Sequence, residues 1–251
     1  MKYLMFLFLM ALCVIRCSNN ITEMSSDFPD LSVICVLSTH LGFQQAYVYN
    51  TTTNTAERPY ASELFNLDAQ MTIRHQNLDI SFQVQENDRG HPIYTDSPQE
   101  LPIVHGHSYE LTVTSGTTTI IGQTTMPGDF ELMMPEEEET VPLSVDLVLS
   151  WTESNTAFGY LIEIRDPPEE IPVSPDSTVP YRERHNFMAR DTFLVIPAGS
   201  FGETGEYLLR ILAFDENYHY HKFEGLDISG IEGGYGLFGA TVLKSRRFFM
   251  E

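Results

Sequence analysis

The chain has 251 residues, 42% of them hydrophobic and 12% aromatic, which excludes intrinsic disorder over most of the length and suits one large domain or two small ones. Lys and Arg number 14 against 35 Asp and Glu, a formal net charge of −21, and a surface this acidic argues against nucleic acid as a partner. Three cysteines, at 13, 17 and 35, are too few and too crowded toward one end for a disulfide scaffold or a four-cysteine zinc site.

Lys2 precedes an uncharged run from Tyr3 to Ile15, closed by Arg16 and the polar Ser18, Asn19 and Asn20. The run falls short of the roughly 20 residues that span a bilayer, and no later apolar stretch approaches that length. It reads as a secretory signal over 1–16, with no transmembrane helix expected in the mature chain. Cys17 follows directly and heads a polar tether, 17–29. The setting resembles a lipobox, in which a bacterial lipoprotein cysteine receives diacylglycerol: Val14 and Ile15 suit its outer positions, while Arg16 stands where a small residue is usual. Cys17 is therefore the expected lipidation site, and the membrane, through that anchor, the expected partner. Ordinary signal cleavage is the alternative, with Cys17 free or paired to Cys35.

Beyond residue 17 no long window keeps apolar residues at helical spacing, whereas period-two alternation recurs between turn signals. The expectation is an all-β chain. Strands are predicted at Leu31–Leu37, Gln45–Tyr49, Gln70–Arg74, Asp79–Val84, Ser108–Thr114 and Thr118–Thr124, with turns at Gln76-Asn77 and Ser115-Gly116. Tyr109, Leu111 and Val113 share one face, as do Ile80, Phe82 and Val84. Such strands suit a first β-sandwich over 30–130. Met126-Pro127-Gly128-Asp129 closes it, and the glutamates at 136–139 followed by Pro142 mark an acidic linker, 131–140. Calcium binding there lacks the alternating ligands and turn glycine that such loops need.

The second half, 141–251, opens with Leu143, Val145, Leu147, Leu149 and Trp151 alternating on one strand face, so that Trp151, the single tryptophan, plugs the core. Tyr160, Ile162 and Ile164 alternate next, and Tyr207, Leu209, Ile211 and Ala213 later. These runs resemble strands B, C and F of a fibronectin type III domain. The resemblance implies that Trp151 packs near Tyr160 and that Tyr207 forms a corner by bonding upstream backbone. Phe193–Ile196 would be strand E and Leu237–Leu243 strand G. A proline-rich insert, 166–191, departs from the pattern. The expected fold is thus two tandem sandwiches, immunoglobulin-like or carboxypeptidase-regulatory-like first and fibronectin-like second.

From end to end the chain also resembles a lipoprotein family of Bacteroidota known as domain of unknown function 4249. Two segments carry the resemblance: Val104-His105-Gly106-His107-Ser108-Tyr109-Glu110-Leu111-Thr112-Val113, with Thr124-Thr125-Met126-Pro127 after it, and the closing Ile231-Glu232-Gly233-Gly234-Tyr235-Gly236-Leu237-Phe238-Gly239. The resemblance implies an exported, lipid-anchored protein of the outer membrane with an outer-membrane protein as a possible partner, and it implies no catalytic residues.

Gly234-x-Gly236-x-x-Gly239 matches the dinucleotide fingerprint, but a strand rather than a helix is expected after it and the sequence printed ends at Glu251, so these glycines read as structural. His105 with His107 and His219 with His221 are spaced to share a strand face and reach a metal, yet nothing in the sequence brings the two pairs together. No serine elbow, zinc-protease helix or Cys-His pairing appears. No metal, cofactor or catalytic residue is assigned. The expected function is a non-catalytic envelope lipoprotein acting as a binding or accessory module. The alternatives are a structural or adhesive spacer and, more remotely, a metal-dependent hydrolase. A binder should show an exposed aromatic patch, a spacer none, and an enzyme a pocket of convergent polar groups.

Overall fold

A computed structural model describes residues 31–51, 65–87, 90–97, 100–165 and 184–251. The signal, the tether with Cys17 and most of the expected insert, 166–183, lie outside the described residues. In chain order the strands are β1 (Leu31–Ser38), β2 (Gln45–Asn50), β3 (Gln70–His75), β4 (Leu78–Glu86), β5 (Pro92–Thr95), β6 (Ser108–Ser115), β7 (Thr118–Thr125), β8 (Leu132–Met134), β9 (Thr140–Val141), β10 (Leu147–Trp151), β11 (Gly159–Arg165), β12 (Arg184–Ala189), β13 (Phe193–Ile196), β14 (Gly205–Phe214), β15 (Ile228–Ser229), β16 (Ile231–Glu232) and β17 (Tyr235–Met250). One helix, α1 (Glu216–Lys222), follows β14. The protein is all-β, in two tandem β-sandwiches.

In the first sandwich one sheet runs β1-β2-β5 to the end of β4, and the other runs from the start of β4 through β3, β6 and β7 to β16. Strand β4 serves both. Ile80 and Phe82 face the core beside β3, whereas Val84, expected on their face, is exposed because the strand has by then passed to β5. Alternation fills the interior: Tyr109, Leu111 and Val113 from β6 meet Val33, Cys35 and Leu37 from β1 in one cluster. Cys35 is fully buried as a free thiol, and burial pushes its pKa strongly upward, so it behaves as a small hydrophobe. The Tyr109 hydroxyl donates to Pro102 O (2.9 Å) and accepts from Val104 N (2.7 Å), fixing the loop that enters β6.

The second sandwich sets β13-β10-β8 against β12-β11-β14-β17, the fibronectin type III order E-B-A against C′-C-F-G. Trp151 is 3% exposed and meets Tyr160 edge-on, with ring centroids 5.2 Å apart. The Tyr207 hydroxyl donates to Glu203 O at 2.9 Å, which is the expected corner. Three details differ from the sequence reading. Strand β10 begins at Leu147, so Leu143 lies in a turn and Val145 is exposed. The end of the expected insert forms β12, paired to β11 from Tyr160↔Ala189 to Arg165↔Arg184. The stretch expected as an acidic linker contains β8, which pairs with β10, and the start of β9, which pairs with the end of β17.

The long last strand joins the sandwiches. Its first half lies parallel to β1, from Ser32↔Tyr235 to Ser38↔Thr241, and its second half antiparallel to β14, from Phe214↔Thr241 to Gly205↔Met250. Gly236 to Val242 are buried without a break, because both faces of the strand are covered at the junction. Gly236 has φ 115°, and a Cβ there would run into the Val33 carbonyl oxygen. The fingerprint-like glycines are thus structural: at Gly234 and Gly236 the chain passes too close to β1 for a side chain, and Gly239 packs against Asp215 and the Tyr218 backbone nitrogen.

Candidate functional site

The junction between the sandwiches concentrates the polar chemistry. Asp215, directly after β14, is 5% exposed and caps α1 by accepting from Tyr218 N (2.9 Å). Its carboxylate also accepts from Thr124 Oγ1 on β7 (2.5 Å) and Ala240 N on β17 (3.1 Å). Burial raises its pKa, and these hydrogen bonds oppose the rise without cancelling it. Asn217 Nδ2 donates to Gln123 O (2.8 Å) and Phe238 O (3.0 Å), and the Asn217 carbonyl accepts from Ser229 Oγ (2.8 Å). One short turn of helix therefore ties β7, β14, β15 and β17 together.

Beside this knot opens a cleft of about 390 Å³, between the turn after β1 and the outer face of β11, β14 and β17. Leu161, Leu212 and Leu243 stand in register across the three strands and form its floor. In the next row Glu163 faces Arg210 (3.3 Å) and also contacts Arg165 on its own strand. All three charged side chains are about three-quarters buried. Leu41, Val36 and Tyr218 form the walls. Burial, then the charge of Glu163, raises the Tyr218 pKa; burial, then Arg210, lowers that of His40. Ser38 Oγ and His40 Nδ1 share a hydrogen bond, but Ser38 is buried and also accepts from Thr241 Oγ1 (3.3 Å). Among the described residues no carboxylate bonds His40, so this serine lacks the oriented base that activates a nucleophile.

A second exposed feature is the outer face of the three-stranded sheet. Val148 lies opposite Val195, and Ser150 lies between Phe193 and Met134. Phe193 is 59% exposed and the two valines and Met134 are open to solvent. Among the described residues, the outward-facing side chains of these three strands carry no charge, unusual on a chain of net charge −21.

The histidines are distributed differently from the expected shared strand faces. His219 and His221 sit on α1, where residues two apart point away from each other. His219 is buried against Phe158 and Phe214, and His221 Nδ1 donates to Leu226 O (2.9 Å). His105 and His107 lie in the approach to β6: His107 bonds His75 (3.0 Å) and His105 lies 3.8 Å from Asp129. Among the described residues no three His, Cys, Asp or Glu side chains are grouped as a metal site. Cys17, the one site residue assigned from sequence, lies outside the described residues. The cleft escaped sequence reading because its parts come from residues 36–41, 161–165 and 210–243, and only pairing across strands aligns them.

No family model and no curated protein matches the chain. Solved structures with similar architecture include the two immunoglobulin domains of DIP-gamma (11% identity, 89% of this chain and 97% of that chain, TM-score 0.24). They also include a cytokine receptor complex (12%, 85% and 94%, 0.31) and the fibronectin(III)-like modules of Clostridium thermocellum CbhA (9%, 88% and 94%, 0.27). The strand order and register above define the fold by themselves.

Proposed function

We propose that the chain is a non-catalytic β-sandwich module of the cell envelope, structural or adhesive in role, and that it belongs with the lipoproteins of domain of unknown function 4249. The observation that supports this reading best is β17, a single strand of 16 residues hydrogen-bonded into both sandwiches. Backbone pairing that runs unbroken through a junction leaves no hinge, so the module holds its two ends at a fixed distance and angle. That suits a spacer or a presenting arm better than an enzyme that closes on substrate. The uncharged face around Phe193 supports an adhesive contact and is the surface on which an outer-membrane partner would seat. In this proposal Cys17 carries the lipid that holds the arm to the membrane, because anionic lipid headgroups repel a chain of this charge.

The anchor is tested in a lipoprotein-competent host. The protein is expected in the membrane fraction, with mass spectrometry finding a diacylglyceryl group on an N-terminal Cys17. Cys17→Ser is expected to accumulate as uncleaved precursor. An unmodified N-terminus on the wild type, or normal processing of the variant, contradicts the proposal.

A further inference from the structure

The junction cleft has a composition that selects a ligand. Its floor is a row of leucines, Leu161, Leu212 and Leu243, which Met188 on β12 extends by one strand. At the usual spacing of about 4.8 Å between strands, four strands give an apolar track roughly 14 Å long. Strands β11, β14 and β17 each lie between two neighbours, so their backbone groups are already paired in the sheet. The floor therefore offers nothing to the amides of a peptide, whereas an alkyl chain asks for nothing. Alongside runs the charged row, where Glu163 is shared between Arg165 and Arg210 and leaves one positive charge over. Among the described residues Glu163 is the only acidic side chain lining the cleft, on a protein whose net charge is −21. Each guanidinium has donors beyond those spent on Glu163, in the fork geometry that fits a carboxylate.

We infer that this cleft binds an aliphatic monocarboxylate, its alkyl chain along the leucine row and its carboxylate on Arg210 and Arg165. A single surplus charge matches a monoanion; a phosphate dianion would be left half-neutralised. The site is assembled from both sandwiches and so depends on the junction, but not on the role of the module in the envelope.

The probe is sodium octanoate, titrated into the chain from residue 17 carrying Cys17→Ser and followed by amide chemical shifts. Saturable binding is expected, with shifts centred on Leu161, Arg210 and Leu243. Octan-1-ol, with the same chain and no charge, is expected to bind about tenfold more weakly, and Arg210→Gln to weaken octanoate by a similar factor. Glu163→Gln removes the competing carboxylate and is expected to tighten octanoate several-fold. That variant and the octanol comparison decide the matter even if Arg210→Gln folds poorly. Equal binding of octanoate and octanol overturns the inference, as do shifts centred on the Phe193 face or an absence of saturable binding below about 5 mM. A failed titration with an intact junction refutes the ligand alone and leaves the structural reading untouched.

Discussion

Asp215 is one carboxylate with three donors from three different elements, Thr124 on β7, Tyr218 on α1 and Ala240 on β17. A carboxylic acid in so dry a setting holds its proton more tightly than in the unfolded chain, so the sign of its contribution to stability is set. Between the ordinary aspartate pKa and the raised folded value the native state binds more protons, and stability falls as pH rises through that window. Self-repulsion of a protein of charge −21 adds a fall of the same sign, so the contribution of Asp215 is read as a difference. Asp215→Asn keeps an acceptor for Tyr218 N and Ala240 N and cannot ionise. Urea denaturation across pH 4 to 7 is expected to show a shallower decline for this variant than for the wild type. Asp215→Ala loses the helix cap and strands its donors, at a cost of about 2–3 kcal/mol at all pH values in that range. Parallel pH profiles for wild type and Asp215→Asn would refute the assignment.

Among the elements, β17 shows what local pattern reveals and what it hides. Strands with one wet face were legible: the expected Ser108–Thr114 and Phe193–Ile196 correspond to β6 and β13 within a residue, because burial alternates along them. The first half of β17 has no wet face. Its continuous run of buried residues, opened by glycines, reads locally as a turn followed by a shorter strand. Strand β8 is three residues beside an acidic run, and α1 is under two turns, too short for a helical period to register. The cleft was illegible for the same reason that Ser32 opposite Tyr235 was: pairing across some two hundred residues leaves no mark on neighbouring sequence. Close approach does leave one, in the glycines. Gly236→Ala must both hold a left-handed backbone and displace β1, whereas Gly199, also at positive φ (77°), has open space around it. Gly199→Ala is expected to cost about 1 kcal/mol and Gly236→Ala at least about 3 kcal/mol in urea midpoint terms. Equal costs would mean that β1 and β17 are not in contact at this point.

Across the whole molecule, the two sandwiches have the strand orders of independent domains but do not have independent strand sets. Strand β16 completes one sheet of the first sandwich beside β7, the start of β17 completes the other beside β1, and the rest of β17 is strand G of the second. The buried apolar residues of both form one connected cluster. Unfolding the second sandwich therefore strips two edges from the first, and the two should unfold together. The sequence supplies a reporter for each. Trp151, the single tryptophan, lies in the core of the second sandwich, and Cys35 in that of the first. In the Cys17→Ser chain without residues 1–16, Cys35 is the sole thiol. Equilibrium urea denaturation followed in parallel by Trp151 fluorescence and by Cys35 labelling tests the shared strand most directly. The account predicts a single midpoint common to both probes. Cys35 remaining protected after Trp151 has become exposed, or the reverse, would contradict it.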